Sequence, residues 1–198
     1  MKIFVLIIFL VVLIGVLFSG WTVFYFKSRK AKRCAEELLK IAYIDSLTNL
    51  KNRAGCEKLI EQIKTSPPSG DVVAVMFDMN ELKQTNDSLG HKAGDKIINA
   101  FGTVLKKAAN DYGLMCRYGG DEFLALFQNS DENTAQEFIR KVRSGVDKYN
   151  ENYDLPAEKI KYAVGYCVAD SQVMSITDII DRADSLMYED KRRSKEMA

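Results

Sequence analysis

Histidine occurs once in the 198-residue chain, at position 91, and Cys34, Cys56, Cys116 and Cys167 stand far apart with no C-x-x-C pair. That scarcity argues against a zinc cage or a disulfide framework and leaves the thiols as reduced, mostly buried side chains. No serine or cysteine nucleophile motif accompanies His91, so a structural hydrogen bond or a ligand-side contact suits it better than covalent catalysis. An excess of one charge is also missing. Lys and Arg total 28 against 27 Asp and Glu, a formal net charge of +1, so neither a general polyanion binder nor a nucleic-acid partner is indicated. Internal repeats and low-complexity segments are absent.

Charge is missing altogether from Ile3 to Phe26, where most positions are Ile, Leu, Val or Phe. At about 1.5 Å rise per residue this run is long enough to cross a hydrocarbon core of roughly 30 Å. Trp21 and Tyr25 lie near its end, where amphipathic rings favour the membrane interface. A cleaved signal peptide would have a shorter apolar core and a small-residue site instead of bulky aromatics. Lys27, Arg29, Lys30, Lys32 and Arg33 follow the run, whereas only Lys2 precedes it. The expectation is one N-terminal membrane helix in the cell inner membrane, single-pass, with the C-terminal portion in the cytoplasm. The basic cluster is expected to set topology and attract anionic lipid. Residues 1–27 are read as the anchor, 28–44 as a helical stalk and 45–198 as one domain. Leu38, Leu39 and Ile41 offer the stalk a surface for a second chain, with too few heptads for a coiled coil.

Along the domain, "DSLTNLKNRAGCEKLIEQIKTS" places apolar residues roughly at helical spacing and ends before the breaker "PPSG". "DVVAVMFDMN" reads as a strand buried on both faces, and "HKAGDKIINAFGTVLKKAAN" as an amphipathic helix. Leu114 to Arg117 and Phe123 to Phe127 read as a hairpin turning at "YGGD". A helix capped by Ser130 or Asp131, a strand in "KIKYAVGYCVAD" and a helix opening at "SITD" complete the order. Helix, strand, helix, hairpin, helix, strand, helix predicts an α/β (α+β) fold of the ferredoxin-like kind, a mostly antiparallel sheet covered by helices.

The acids carry the chemistry. Asp78 ends a buried strand, and Asp121 and Glu122 sit where the hairpin enters its second strand. If the strands are neighbours, these carboxylates converge at one end of a sheet and resist ionising together, which a divalent cation relieves. Oxygen ligands with few imidazoles and no thiolate set favour Mg²⁺ or Mn²⁺. Solvated turn acids are the alternative from spacing alone. Gly119 and Gly120 let a ligand approach the backbone. "NDSLGHKAGD" adds Asn86, His91 and Asp95, and carboxylate and amide groups can meet a purine edge such as guanine's.

"RYGGDEF" at Arg117 to Phe123 resembles the signature of GGDEF domains, the diguanylate cyclases. "DSLTNLKNR" at Asp45 to Arg53, "FDMNELKQTNDSLGHKAGD" at Phe77 to Asp95 and "RADSLMYEDKRRSK" at Arg182 to Lys195 are similar to that family's other motifs, in the same order. The resemblance implies a nucleotidyl-cyclase palm that condenses two GTP molecules into cyclic di-GMP and two pyrophosphates, as a homodimer of half-sites. It implies that Asp78, the carbonyl of Met79 and Asp121 hold metal, assisted by Glu122, with Asp121 activating the attacking hydroxyl. Asn86 and Asp95 would read guanine, with His91 near the nucleotide. The backbone near Glu81 to Lys83 and the side chains of Lys83, Lys191 and Lys195 would meet the phosphates, with Gly119 and Gly120 beside the nucleotide. A degenerate domain that binds GTP or a partner protein without turnover is the rival reading. Asn80 and Leu82 depart from the commoner Asp and Phe, Asn49 replaces a common Gly and Ala163 a common Ser. Asn110 and Gly113 stand where many members carry the R-x-x-D inhibitory product site, so none is expected here.

Overall fold

The computed structural model describes residues 2–110 and 113–196, with the side chains of residues 2–14, 16 and 195 outside that description. The chain divides into two units, Met1–Ala42 and Tyr43–Ala198. Helix α1 (Lys2–Tyr43) runs without interruption through the expected anchor and stalk. Its described side chains include the exposed Phe18, Trp21, Phe24 and Phe26, and further on Leu38, Leu39 and Ile41. Trp21 stacks on Tyr25 with ring centroids 5.6 Å apart. Among the described residues no helix is long and apolar enough to cross a membrane. The expected span at residues 3–26 falls largely on side chains outside them.

In the second unit the elements are α2 (Arg53–Thr65), β1 (Asp71–Met79), α3 (Leu82–Leu89), α4 (His91–Ala109), β2 (Leu114–Arg117), β3 (Glu122–Gln128), α5 (Glu132–Asn150), β4 (Tyr162–Asp170) and α6 (Ile176–Glu196). The sheet has the order β2-β3-β1-β4, and every pairing is antiparallel. This is the expected ferredoxin-like arrangement, with β1 and β3 central. Strand β1 is buried at every position after Asp71 because both faces are covered. Val73, Val75 and Phe77 pack with α4 and α5, while Val72, Ala74 and Met76 pack with α2 and α6. Edge-to-face aromatic contacts tie the layers, Phe77 to Phe101 at 5.7 Å and Phe101 to Phe123 at 5.1 Å between centroids.

Three expectations need correction. The segment from Asp45 to Lys51 is a turn and not the start of a helix, and α2 begins only at Arg53, capped by Asn52, which accepts the Gly55 N–H at 2.9 Å. Asp45 takes the Thr48 amide at 2.8 Å and its hydroxyl at 2.7 Å, local bonds that compete with a helix. Asn49 adopts φ 56°, a left-handed conformation that asparagine tolerates. Second, the stretch between β1 and α4, which the expected order of elements passes over, contains the separate helix α3, ended by Gly90 at φ 83°. Third, only Cys56 and Cys116 are buried, whereas Cys34 is exposed and Cys167 half-buried. The helix-start readings hold. Asp131 caps α5 by accepting the Thr134 N–H at 2.9 Å, and Ser175 opens α6 in reciprocal contact with Asp178.

Candidate active site

Strand register brings the acids together. Asp78 and Glu122 are direct partners in the β1–β3 ladder, and the Met79 N–H donates to the Asp121 carbonyl at 2.9 Å. Asp121 and Glu122 therefore join Asp78 at one end of the two central strands. Asp78 is only 8% exposed, and a carboxylate so buried requires a cation. Here the Lys191 ammonium of α6 provides it, 2.5 Å from Asp78 Oδ1. Burial pushes the Glu122 carboxyl above its ordinary range, and the negative charges of Asp121, Asp78 and Asp184 push the same way, with Lys191 partly opposing them. Asp184 is raised by burial and by the charges of Asp181 and Asp78. It is a fourth carboxylate facing this pole to which the sequence reading gave no role. Its signal was already in the closing motif, seven residues before Lys191, two turns along the same helix face.

Among the described residues no group of three or more His, Cys, Asp or Glu side chains forms a ready-made metal cage. The expected donor set differs, two or three carboxylates with one main-chain carbonyl, and the chemistry of the pole fits it. All donors are oxygen, the charge is in excess, and a lysine already serves one carboxylate as its cation.

The hairpin turn is held from both sides. The Glu122 carbonyl accepts the Tyr118 and Gly119 amides at 2.8 and 3.2 Å. A Cβ on Gly119 would lie 2.3 Å from Glu122 Oε2, whereas one on Gly120 would meet nothing within 4 Å. Gly119 thus seats the Glu122 carboxylate, and Gly120 leaves room for a ligand. Arg117 is a positioning residue that sequence reasoning missed. Its guanidinium donates to the Gly120 carbonyl at 2.6 Å and to Asp45 at 3.3 Å. The main chain repeats the link, since the Lys51 N–H donates to the Met115 carbonyl at 3.1 Å and the Arg117 N–H to the Lys51 carbonyl at 2.8 Å. The opening motif thereby clamps the signature hairpin.

Burial pushes the Asp45 carboxyl up, but hydrogen bonds from Thr48 and the Arg117 charge outweigh that and hold it below the ordinary range. A depressed carboxylate adds stability above its unfolded value and loses it as pH falls through the folded value. Asp45→Asn is therefore expected to cost about 2 kcal/mol at neutral pH and to flatten the acid side of the stability profile. Urea midpoints measured from about pH 7 down to about pH 3 check both effects.

The other expected residues stand on α3 and α4. Asn86 on α3 has a buried Oδ1 with no hydrogen-bond partner. It lies against Gly94 of α4, where a Cβ would come within 2.1 Å of that oxygen. Asp95 follows Gly94 and is exposed, as are Lys83 on α3 and His91 at the start of α4. The side chain of Lys195 is outside the described residues. A cavity of about 400 Å³ lined by Ala108, Phe127, Asn133, Phe138 and Lys141 lies at the far end of β3 from Glu122 and contains none of the expected residues.

Comparison with known proteins identifies the family. The profile of the diguanylate cyclase GGDEF domain matches residues 42–197. Diguanylate cyclase A of Treponema denticola is 26% identical over 164 residues, 80% of this chain and 44% of that protein. Diguanylate cyclase VdcA of Vibrio cholerae is 30% identical over 168 residues, 80% of this chain and 48% of that protein. The chain thus spans less than half the length of these relatives. The crystal structure of the coiled coil and GGDEF domain of DgcB from Caulobacter crescentus, in complex with c-di-GMP, superposes with a TM-score of 0.75 at 22% identity, covering 84% of this chain and 89% of that one. At that identity the likeness speaks for the fold alone.

Proposed function

The chain belongs to the diguanylate cyclase GGDEF domain family, and on that premise we propose that it condenses two GTP molecules into cyclic di-GMP, releasing two pyrophosphates. The observation that carries this reading is the convergence of Asp78, Asp121 and Glu122 at one sheet end with Lys191 already on Asp78.

In the proposed mechanism each chain of a homodimer holds one GTP. Asn86 and Asp95 read the guanine edge, a role suited to a buried amide oxygen without a partner. Main-chain amides at residues 81–83, where the chain enters α3, face the phosphates with Lys83, Lys191 and Lys195. Asp121 accepts the proton of one ribose 3′-hydroxyl. That oxygen bonds to the partner nucleotide's α-phosphorus as the bond to the pyrophosphate oxygen breaks, and the second half-site repeats the exchange. Lys191 leaves Asp78 and offsets charge on the departing pyrophosphate. Asp78, the Met79 carbonyl, Asp121 and Glu122 would hold Mg²⁺ or Mn²⁺, which supplies Lewis-acid stabilisation of the phosphoryl oxygens.

The N-terminal helix is proposed as a single-pass inner-membrane anchor with the GGDEF domain in the cytoplasm. The charge-free run, the exposed Trp21 and Phe24 and the following basic cluster support it. Anchoring raises the local concentration of chains that must meet in pairs. A variant lacking residues 1–33 is expected to be soluble without detergent and to show lower specific activity at low protein concentration. Equal activity would count against an assembly role for the anchor.

The inhibitory product site is proposed to be absent. Asn110 replaces the guanidinium, and at Gly113 a Cβ would stand 2.4 Å from the Phe127 ring, so packing disfavours a carboxylate there. Added cyclic di-GMP is expected not to inhibit.

Gly94→Ala tests the nucleotide edge. The three atoms nearest the new methyl all belong to the Asn86 side-chain amide, which can rotate away, and alanine favours the helix, so the melting temperature should hold or rise. GTP affinity should fall by about tenfold. Calorimetric titration and thermal unfolding read the two opposite signs.

The function itself is tested by incubating the full chain in detergent with labelled GTP or ATP and Mg²⁺ or Mn²⁺, then separating products by chromatography. Cyclic di-GMP from GTP alone is expected. A mixed product would revise the assignment of Asp95. GTP binding with no turnover would favour the non-catalytic reading.

A further inference from the structure

Four described non-glycine residues have positive φ, and three of them are asparagines, whose short amide tolerates that conformation. The fourth is Glu81, at φ 61°, directly between β1 and α3. Its side chain makes no capping bond to α3, so the helix start does not explain it. The Glu81 carboxylate instead meets the Lys161 ammonium, and the Lys161 carbonyl accepts the Asn80 N–H at 2.8 Å. Lys161, just before β4, therefore grips the loop through both side chain and main chain. A second observation points to a ligand here. Asn80 Oδ1 is buried with no partner, in the same loop, two residues beyond Asp78.

An acid at position 81 is unfavourable beside a triphosphate, because its charge opposes the ligand's. We propose that Lys161 is a positioning residue, pairing with Glu81 to cancel that charge and to hold residues 80–83 with their amides toward the triphosphate. This rests on the reading of the site as a GTP site. Lys161 touches the loop and not the reacting atoms, so its effect falls on nucleotide affinity more than on the chemical step.

Calorimetric titration of Mg²⁺-GTP into the full chain in detergent tests it, using Lys161→Ala in the parent and in a Glu81→Gly background. Glycine removes both the charge and the cost of the left-handed backbone. In the parent, Lys161→Ala is expected to weaken binding by about three- to fivefold. In the Gly background the same change should cost less than about twofold, the signature of direct coupling between the two positions. Lys161→Arg should restore the parent affinity. Equal losses in both backgrounds, or no loss in the parent, would overturn the proposal. Hydrogen exchange of the nucleotide-free chain gives a second readout, with faster exchange at residues 80–84 expected in Lys161→Ala and unchanged exchange contradicting it. If the parent bound no GTP, the proposed function would fall while the exchange measurement still decided whether Lys161 holds the loop.

Discussion

An Asp121→Asn variant is expected to fold as the parent does and to lose turnover by about a thousandfold. The fold uses only the main chain of Asp121, whose carbonyl accepts the Met79 N–H at 2.9 Å, and asparagine keeps that bond. What disappears is the group proposed to accept the hydroxyl proton and one negative donor of the acidic pole. The same substitution should ease the crowding that raises Glu122, since Asp121 is its largest charged neighbour effect after burial. Stability should therefore stay level or rise slightly while activity collapses. A urea midpoint and an initial rate on one preparation separate this from misfolding. A variant that lost both together would show Asp121 to be structural.

Gly165→Ala is expected to destabilise the domain by about 3 kcal/mol and to abolish detectable turnover. A Cβ at Gly165 would stand 2.1 Å from the Met187 nitrogen and 2.3 Å from the Ala183 carbonyl. Both are main-chain atoms of α6, so no side chain can swing aside and the helix must move off β4. Asp190 fixes the same contact by accepting the Val164 N–H at 3.1 Å. The next residue on the helix is Lys191, the partner of Asp78. Displacing α6 would leave Asp78 buried without its cation, a large penalty in itself. Gly120→Ala is the matching control, because its Cβ would meet nothing and its stability should change by less than about 0.5 kcal/mol. Denaturant titration of both variants decides whether close packing, and not glycine loss in general, is responsible.

Much of the fold was legible because its signals are local. The apolar run of β1, the glycine turn between β2 and β3 and the caps Asp131 and Ser175 each announce themselves within a few residues. Helix α3 was missed because its eight residues bury only Thr85 and its polar "QTND" resembles loop chemistry. The turn at Asp45 to Lys51 was misread because leucines at near-helical spacing outweighed the side-chain bonds of Asp45 and Thr48. The acidic pole could be anticipated from Asp78 near the end of one strand and from Asp121 and Glu122 where the next hairpin strand begins. Its supports could not, since Arg117 reaches Asp45 across 72 positions and Lys161 reaches Glu81 across 80. Contacts at that separation leave no periodicity, and only the folded sheet order creates them.

The central claim is that this sheet end gathers carboxylates to hold a divalent cation against GTP. Anomalous scattering from Mn²⁺ in crystals grown with a non-reacting GTP analogue tests it most directly. The account predicts an ion within about 2.1 Å of Asp78 and Asp121 oxygens, with Lys191 moved to the phosphates. Bound nucleotide with no manganese at those carboxylates, and Lys191 still on Asp78, would contradict it.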